Sequence, residues 1–160
     1  MVRDLCLLGM RLIVGGIFAA HGYPKLFGGQ GKEVSTEAAR YLGQGFVEAV
    51  QRGSPAGFAP AVQRLGLPGP IVVAWFVAGL EFFGGVMLAI GWLTRPTAFL
   101  LAGEMATATL RVHWRNGLIA QGGFEFPLSL LGACLGLIGT GPGAMSVDGA
   151  ENTCSVEQNC

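Results

Sequence analysis

Long apolar stretches alternate with polar connections along the chain, and their lengths predict the fold. A helix that crosses about 30 Å of hydrocarbon needs about 20 mainly apolar residues. Four stretches meet this requirement, at residues 5–27, 69–91, 96–114 and 124–141. The pattern therefore predicts an all-α fold, an integral-membrane four-helix bundle.

The connections between these spans differ in length. Residues 93–96 join the second span to the third, and Pro96 is well placed to begin a helix, so we expect a tight antiparallel hairpin. The connection over 28–68 is much longer, and within it Ser35 or Thr36 can cap a helix.

Two segments of the long connection have the character of short helices. Apolar residues recur at helical spacing in the first: Ala38, Tyr41, Leu42, Phe46, Ala49 and Val50. The second covers 58–66. Because both are weakly apolar and partly charged, we expect short helices at the membrane interface, with an ordinary structured loop as the alternative.

The composition agrees with a membrane protein. Hydrophobic residues make up 51% of the chain and charged residues 12%, and the mean hydropathy is +0.53. The formal net charge is zero and no basic run stands out, so nothing indicates a nucleic-acid partner. We expect one domain over 1–149 in the lipid bilayer and an exposed tail over 150–160, where Cys154 and Cys160 could form a disulfide.

Basic residues indicate an orientation. With four spans, both termini lie on the same side as the 93–96 connection, and that side carries only Arg3 and Arg95. The other side carries the remaining basic residues outside the first span's apolar core: Lys25, Lys32, Arg40, Arg52, Arg64, Arg111 and Arg115. The positive-inside rule therefore predicts both termini outside.

Three ionisable residues fall closest to the middle of the predicted spans. An ionised side chain at the bilayer centre costs at least about 2.5–3.5 kcal/mol, so such residues are expected to pair or to line a wet cavity. Antiparallel threading brings Arg11, Glu81 and Glu104 to similar depths, and Gly84 and Gly85 allow a close helix approach beside Glu81. We predict an Arg–carboxylate cluster, either a proton-holding catalytic centre or a device that only fixes helix register.

A second polar group is predicted at the end of the bundle nearer the long connection. Antiparallel threading brings together there His21, Lys25, Arg111, His113 and Glu125. We expect a polar mouth that binds a small substrate. The two histidines and Glu125 come from three helices with no local ligand spacing, so we predict no metal centre.

The motifs resemble those of a known family. They are "RLIVGGIFAAHGYPKLFGG" (11–29), "GLEFFGGVMLAIGWLTRPTA" (79–98), "EMATATLRVHW" (104–114), "GGFEFPL" (122–128) and "GPGAMSVDG" (141–149). In this order and spacing they look like the DoxX family of small four-helix bacterial membrane proteins. The polar or signature positions that match are Arg11, His21, Lys25, Glu81, Met105, His113, Glu125 and Asp148. Glu104 fits the family pattern less clearly, which makes Arg11–Glu81 the safer pair.

The resemblance implies redox chemistry at the bacterial inner membrane. Some relatives are the small membrane subunit of a thiosulfate:quinone oxidoreductase, and others belong to oxidative-stress complexes or mature periplasmic redox proteins. We therefore expect a quinone-associated redox subunit or accessory factor, with a quinone as the candidate cofactor, a redox protein or a second copy as partner, and Asp148 holding the tail. The alternatives are a non-catalytic scaffold or maturation factor and a small transporter.

Overall fold

The computed structural model describes residues 1–150, which form helices joined by turns and contain no β-strand. The α-helices are α1 (Val2–Phe27), α2 (Thr36–Leu42), α3 (Gln44–Arg52), α4 (Pro55–Arg64), α5 (Pro70–Gly79), α6 (Gly85–Ile90), α7 (Thr94–Thr107) and α8 (Glu125–Thr140). The predicted all-α class is confirmed. The predicted pairing of Cys154 with Cys160 lies outside the described residues.

Two of the predicted spans have the length and composition of membrane-crossing helices. They are α1, with 26 residues, and the continuous helical run Pro70–Ile90, with 21 residues. Helix α8 is apolar but has only 16 residues. The four-helix bundle therefore stays a prediction, whereas a helical protein with two candidate membrane helices is observed.

Neither the second nor the third predicted span is a regular α-helix. A π-helical segment, Leu80–Gly84, lies between α5 and α6 and carries Glu81. A second one, Ala108–His113, follows α7 and is succeeded by a 3₁₀ turn, Trp114–Asn116. A π turn accommodates an additional residue within a helix, and such turns are frequent at functional sites. Hydrophobic spacing alone did not predict them.

The helices of the long connection differ from expectation at their ends. Ser35 caps α2 as predicted, since its hydroxyl accepts a hydrogen bond from the Ala38 amide at 3.2 Å. The single helix expected through residue 50 is wrong, because Gly43, at φ 83°, separates α2 from α3. Glycine adopts this left-handed conformation without the strain that a Cβ causes. The second predicted segment begins earlier, at Pro55.

Residues 17–83 form one compact unit. Helix α4 packs on α5, and the buried apolar side chains include Phe18, Val50 and Val62. Gly22 brings α1 against the π segment, because a Cβ at this position would overlap the backbone of Glu81 and Phe82. The last turns of α1 are thereby placed directly beside Glu81.

Among the described residues, the other unit comprises 1–16 and 84–150. Helices α7 and α8 pack together around Leu101 and Leu137, and Cys134 is buried among such apolar groups. Gly84 and Gly85 are buried as well. A Cβ at Gly15 would overlap the Gly85 carbonyl oxygen, so this glycine allows a close helix contact.

Replacing Gly22 with alanine should destabilise the protein. The new Cβ would meet backbone atoms of Glu81 and Phe82, which cannot move aside as a flexible side chain can. We expect a loss of about 1–3 kcal/mol, typical of overpacking, measured as a lower thermal unfolding midpoint in detergent. Gly16→Ala is the matched control, because no atom lies within 4 Å of its added Cβ. Equal midpoints for the two variants would contradict the close contact.

Candidate functional site

The carboxylate of Glu81 is paired with Lys25. Lys25 Nζ lies 2.5 Å from Glu81 Oε1, and the side chains are 26% and 5% exposed, respectively. The sequence predicted Arg11 as the partner of Glu81, whereas the observed partner within the 17–83 unit is Lys25. Gly22 sets the register of α1 against the π segment, so the neighbours of Glu81 come from the end of α1, about three to four turns after Arg11.

The pairing of Glu81 satisfies one of its two carboxylate oxygens. Oε1 accepts the hydrogen bond from Lys25, whereas Oε2 is buried and has no hydrogen-bond partner. A buried, partly satisfied carboxylate is unfavourable compared with a hydrated one. Lys25 is therefore the principal group that stabilises Glu81 as an anion.

A cavity of about 490 Å³ adjoins Lys25. Its walls come from the end of α1, from α2 and α3, and from α4. The lining residues are Ala20, His21, Pro24, Lys25, Leu42, Gly45, Phe46, Ala49, Arg52, Gly53, Gly57 and Phe58. The volume lies within the range of about 300–1,000 Å³ that is typical of small-molecule sites.

The lining of this cavity is apolar apart from three basic side chains. The basic side chains are those of His21, Lys25 and Arg52. Among the described residues that line the cavity, none is a carboxylate. Lys25 Nζ also lies 4.8 Å from the centre of the Phe58 ring, which is a favourable cation–π distance. An ammonium group has three N–H donors, so Lys25 can bind Glu81 and still donate to a ligand.

Aromatic side chains hold the end of α1 in place. The Tyr23 ring lies 6.0 Å from that of Phe46 on α3 and 6.1 Å from that of Phe82 in the π segment. The Phe27 ring meets Phe82 edge-on at 5.1 Å. Such pairs stabilise by about 0.5–1.5 kcal/mol beyond their buried area, so the cluster fixes the turn that carries Lys25.

Arg11 belongs to the other unit and has a different partner. Its guanidinium is fully buried and donates from Nη2 to the Met145 carbonyl, while Nε and Nη1 have no hydrogen-bond partner. The carboxylate of Asp148 lies within electrostatic range. Gly91, at φ 74°, leaves room for the guanidinium, because a Cβ there would overlap Nη1. Arg11 thus holds the segment that follows α8.

Asp148 binds this segment to the start of α7. Its carboxylate accepts hydrogen bonds from the amides of Leu93 at 2.8 Å and Thr94 at 2.9 Å, and its own amide donates to the Gly91 carbonyl at 3.0 Å. The helix therefore begins at Thr94, and not at Pro96 as predicted. An acidic group at a helix N-terminus satisfies free amides and interacts favourably with the helix dipole.

Three other predicted site residues of this unit, Glu104, His113 and Glu125, lie on or after α7 and have neighbours other than Arg11. Glu104 is half-buried on α7, within electrostatic range of Cys134 on α8. The His113 ring lies with Nδ1 2.7 Å from the Gly122 carbonyl oxygen, which also accepts from Asn116 at 2.8 Å. Glu125 is exposed at the first position of α8.

The residues predicted to form the polar mouth are thus divided between the two units. His21 and Lys25 line the cavity of the 17–83 unit, whereas Arg111, His113 and Glu125 belong to the other unit. The sequence analysis did not predict Arg52 and Phe58 as cavity residues. It assigned Phe46, which also lines the cavity, only to the apolar face of a helix. Within residues 1–150, no group of three His, Cys, Asp or Glu side chains could hold a metal ion.

These features define a small helical membrane protein with a buried ion pair beside a cavity. The sequence pattern of the DoxX family matches residues 6–114, which is more than half of the chain. The chain belongs to the DoxX family, so the resemblance in its motifs is confirmed.

Two similar proteins come from Escherichia coli (strain K12). The chain is 35% identical to inner membrane protein YqjF over 101 residues, 58% of this chain and 71% of YqjF. It is 29% identical to inner membrane protein YphA over 152 residues, 91% of this chain and 90% of YphA. No solved structure matches the chain. The family and these relatives identify an inner-membrane protein.

Removing one partner of the Lys25–Glu81 pair should destabilise the protein more than removing both. Loss of one member of a buried pair costs about 3–5 kcal/mol, whereas apolar or neutral replacement of both is often tolerated. Because Lys25 is partly exposed, we expect Lys25→Met to fall toward the lower end of that range. Unfolding midpoints of Lys25→Met, Glu81→Gln and the double variant measure this coupling.

The control for these Lys25 and Glu81 variants is the Arg52–Glu48 pair, at 3.5 Å, whose side chains are 81% and 58% exposed. Exposed pairs contribute about 0–1 kcal/mol, so Glu48→Gln should change the midpoint little. Strictly additive effects of the Lys25 and Glu81 substitutions would contradict a coupled buried pair.

Replacing Asp148 with alanine should weaken the start of α7. The amides of Leu93 and Thr94 would lose their acceptor, and loss of a capping side chain costs about 0.5–2 kcal/mol. Asp148→Asn keeps one acceptor oxygen and should lose less. Hydrogen exchange at the Leu93 and Thr94 amides measures the effect locally, and unchanged protection in Asp148→Ala would contradict the cap.

Proposed function

We propose that this inner-membrane protein is a quinone-associated subunit or accessory protein of a redox system, and that its cavity holds the quinone headgroup. The observation that carries the proposal is the position of Lys25 at the cavity wall, paired with the buried Glu81. A donor held in this way is oriented toward the ligand before the ligand binds. Preorganisation of this kind raises affinity because less freedom is lost on binding.

The chemistry of the cavity walls supports a quinone. Lys25 and Arg52 are hydrogen-bond donors only and His21 can also donate, while the carbonyl oxygens of a quinone are acceptors. The rings of Phe46 and Phe58 offer apolar faces to the quinone ring, since aromatic rings attract each other in offset or edge-on arrangements. Helix α1 has the length and composition of a membrane-crossing helix, so an isoprenoid tail would meet hydrocarbon beside it.

The proposal includes a four-span topology. Helix α7 and the π segment that follows it run from Thr94 to His113 and together contain enough residues to span about 30 Å, while α8 supplies a shorter fourth span. The chain would then form one bundle over 1–149. The distribution of Lys and Arg favours both termini outside. A redox-protein partner and a homo-oligomer both fit this arrangement.

A second candidate function is a non-catalytic scaffold or maturation factor. The Arg11 interactions favour it, because the guanidinium binds the segment after α8 and Asp148 of that segment binds the start of α7, so both serve packing. The scaffold function requires no ligand in the cavity. It predicts that Arg11→Ala and Lys25→Met lower the amount of folded protein and change no binding property.

Quinone binding provides the test. The protein is purified in lipid nanodiscs and titrated with decylubiquinone by isothermal calorimetry. We expect saturable binding, and we expect Lys25→Met to weaken it about tenfold to a hundredfold, since hydrogen bonds to charged groups contribute about 1.5–3 kcal/mol. Lys32→Met is the matched control, because Lys32 is exposed and does not line the cavity.

The outcome also separates the two candidate functions. Saturable binding that Lys25→Met weakens and Lys32→Met leaves unchanged supports the quinone site. If the folded wild-type protein binds no quinone, the redox proposal is wrong and the scaffold function is favoured. Binding that is equally strong in wild type and Lys25→Met would remove the cavity from the proposal.

A further inference from the structure

We infer that the cavity selects neutral carbonyl compounds against anions, and that Glu81 sets this selectivity by cancelling the charge of Lys25. The inference rests on the proposed quinone site and names the class of ligand that the site accepts. Glu81 does not line the cavity, so it acts through Lys25 and is a specificity-determining residue that does not touch the ligand.

The basic character of the cavity walls would by itself favour an anion. His21, Lys25 and Arg52 line the cavity, and no carboxylate is among the lining residues of this unit. However, Lys25 and Arg52 each have an acidic partner behind them. Lys25 Nζ is 2.5 Å from Glu81 Oε1, and Arg52 Nη2 is 3.5 Å from Glu48 Oε2.

The two carboxylates differ in how strongly they act. The Glu81 side chain is 5% exposed, so little water screens its charge, and its Oε2 has no hydrogen-bond partner that would disperse that charge. The Glu48 side chain is 58% exposed and is screened by solvent. Charge interactions are several times stronger at a poorly hydrated position than in water. Glu81 therefore controls the net charge that a ligand meets beside Lys25.

This arrangement treats neutral and anionic ligands differently. A carbonyl oxygen that accepts an N–H of Lys25 gains a charge-assisted hydrogen bond and loses only the hydration of a neutral group. An anion loses a much larger hydration energy, and at Lys25 it meets the attraction of the ammonium together with the repulsion of the buried carboxylate. The ammonium thus donates hydrogen bonds without providing the net positive charge that an anion needs.

Two probes with the same ring system test this selectivity. Menadione is a neutral naphthoquinone, and 2-hydroxy-1,4-naphthoquinone is an acidic analogue that is an anion at neutral pH. Both are titrated into nanodisc-embedded wild type, Glu81→Gln and the control Glu37→Gln, whose residue is exposed on α2 and does not line the cavity. The measured quantity is the ratio of the two dissociation constants in each protein.

We expect wild type and Glu37→Gln to bind the neutral probe more tightly. Glu81→Gln should shift the ratio toward the anion by on the order of tenfold or more, because the charge of Lys25 is then uncompensated. Glu48→Gln should shift the ratio less than Glu81→Gln does, since that carboxylate is screened. Should Glu81→Gln fail to fold, Lys25→Gln gives the opposite test: with the carboxylate left alone, the ratio should move further toward the neutral probe.

The outcomes distinguish this inference from the proposed function. If wild type binds menadione and the ratio is the same in Glu81→Gln, the quinone site stands and the selectivity role of Glu81 is overturned. If wild type prefers the anion, the inference is also overturned, although the cavity remains a binding site. If folded wild type binds neither probe, the proposed function fails and the inference fails with it.

Discussion

A carboxylate inside an apolar helix must find a partner, and the 17–83 unit is organised around this requirement. Glu81 forms an ion pair with Lys25, which lies near the end of α1. Gly22 makes the approach of the helices close enough, and the aromatic rings around Phe82 fix the turn that carries Lys25. Because loss of Lys25 leaves the Glu81 carboxylate buried without a partner, packing and electrostatics in this unit depend on each other.

The second buried charge is stabilised in a different way. Arg11 donates to a backbone carbonyl and lies within electrostatic range of Asp148, which in turn caps α7. The segment after α8 therefore takes part in a buried polar network. In each unit, the group that compensates the buried charge also lies at a helix end: Lys25 at the end of α1 and Asp148 at the start of α7. Each buried ionisable residue therefore fixes the position of that helix end.

The Lys25–Glu81 pair links this architecture to the proposed function. The same lysine that neutralises Glu81 forms part of the wall of a cavity of small-molecule size. Within the DoxX family, this gives the chain a donor that is fixed in position and a charge that is largely cancelled. A neutral acceptor such as a quinone carbonyl matches both properties, because it needs the hydrogen bond and not the net charge.

The resemblance of the ordered motifs to the DoxX family predicted the inner-membrane family. Hydrophobic spacing and composition were sufficient to predict the helical class and the two longest apolar helices, because these follow from the length of apolar runs. They also identified Arg11, Glu81 and Glu104 as ionisable residues that need partners, and they placed Lys25 in a separate polar mouth. Which residues pair was decided by the tertiary structure. Depth along a straight helix suggested Arg11 for Glu81, whereas the register set by Gly22 and the π turn at Leu80–Gly84 brought Lys25 to it. Side-chain partners depend on helix register and rotation, and those are determined by contacts between residues far apart in the sequence.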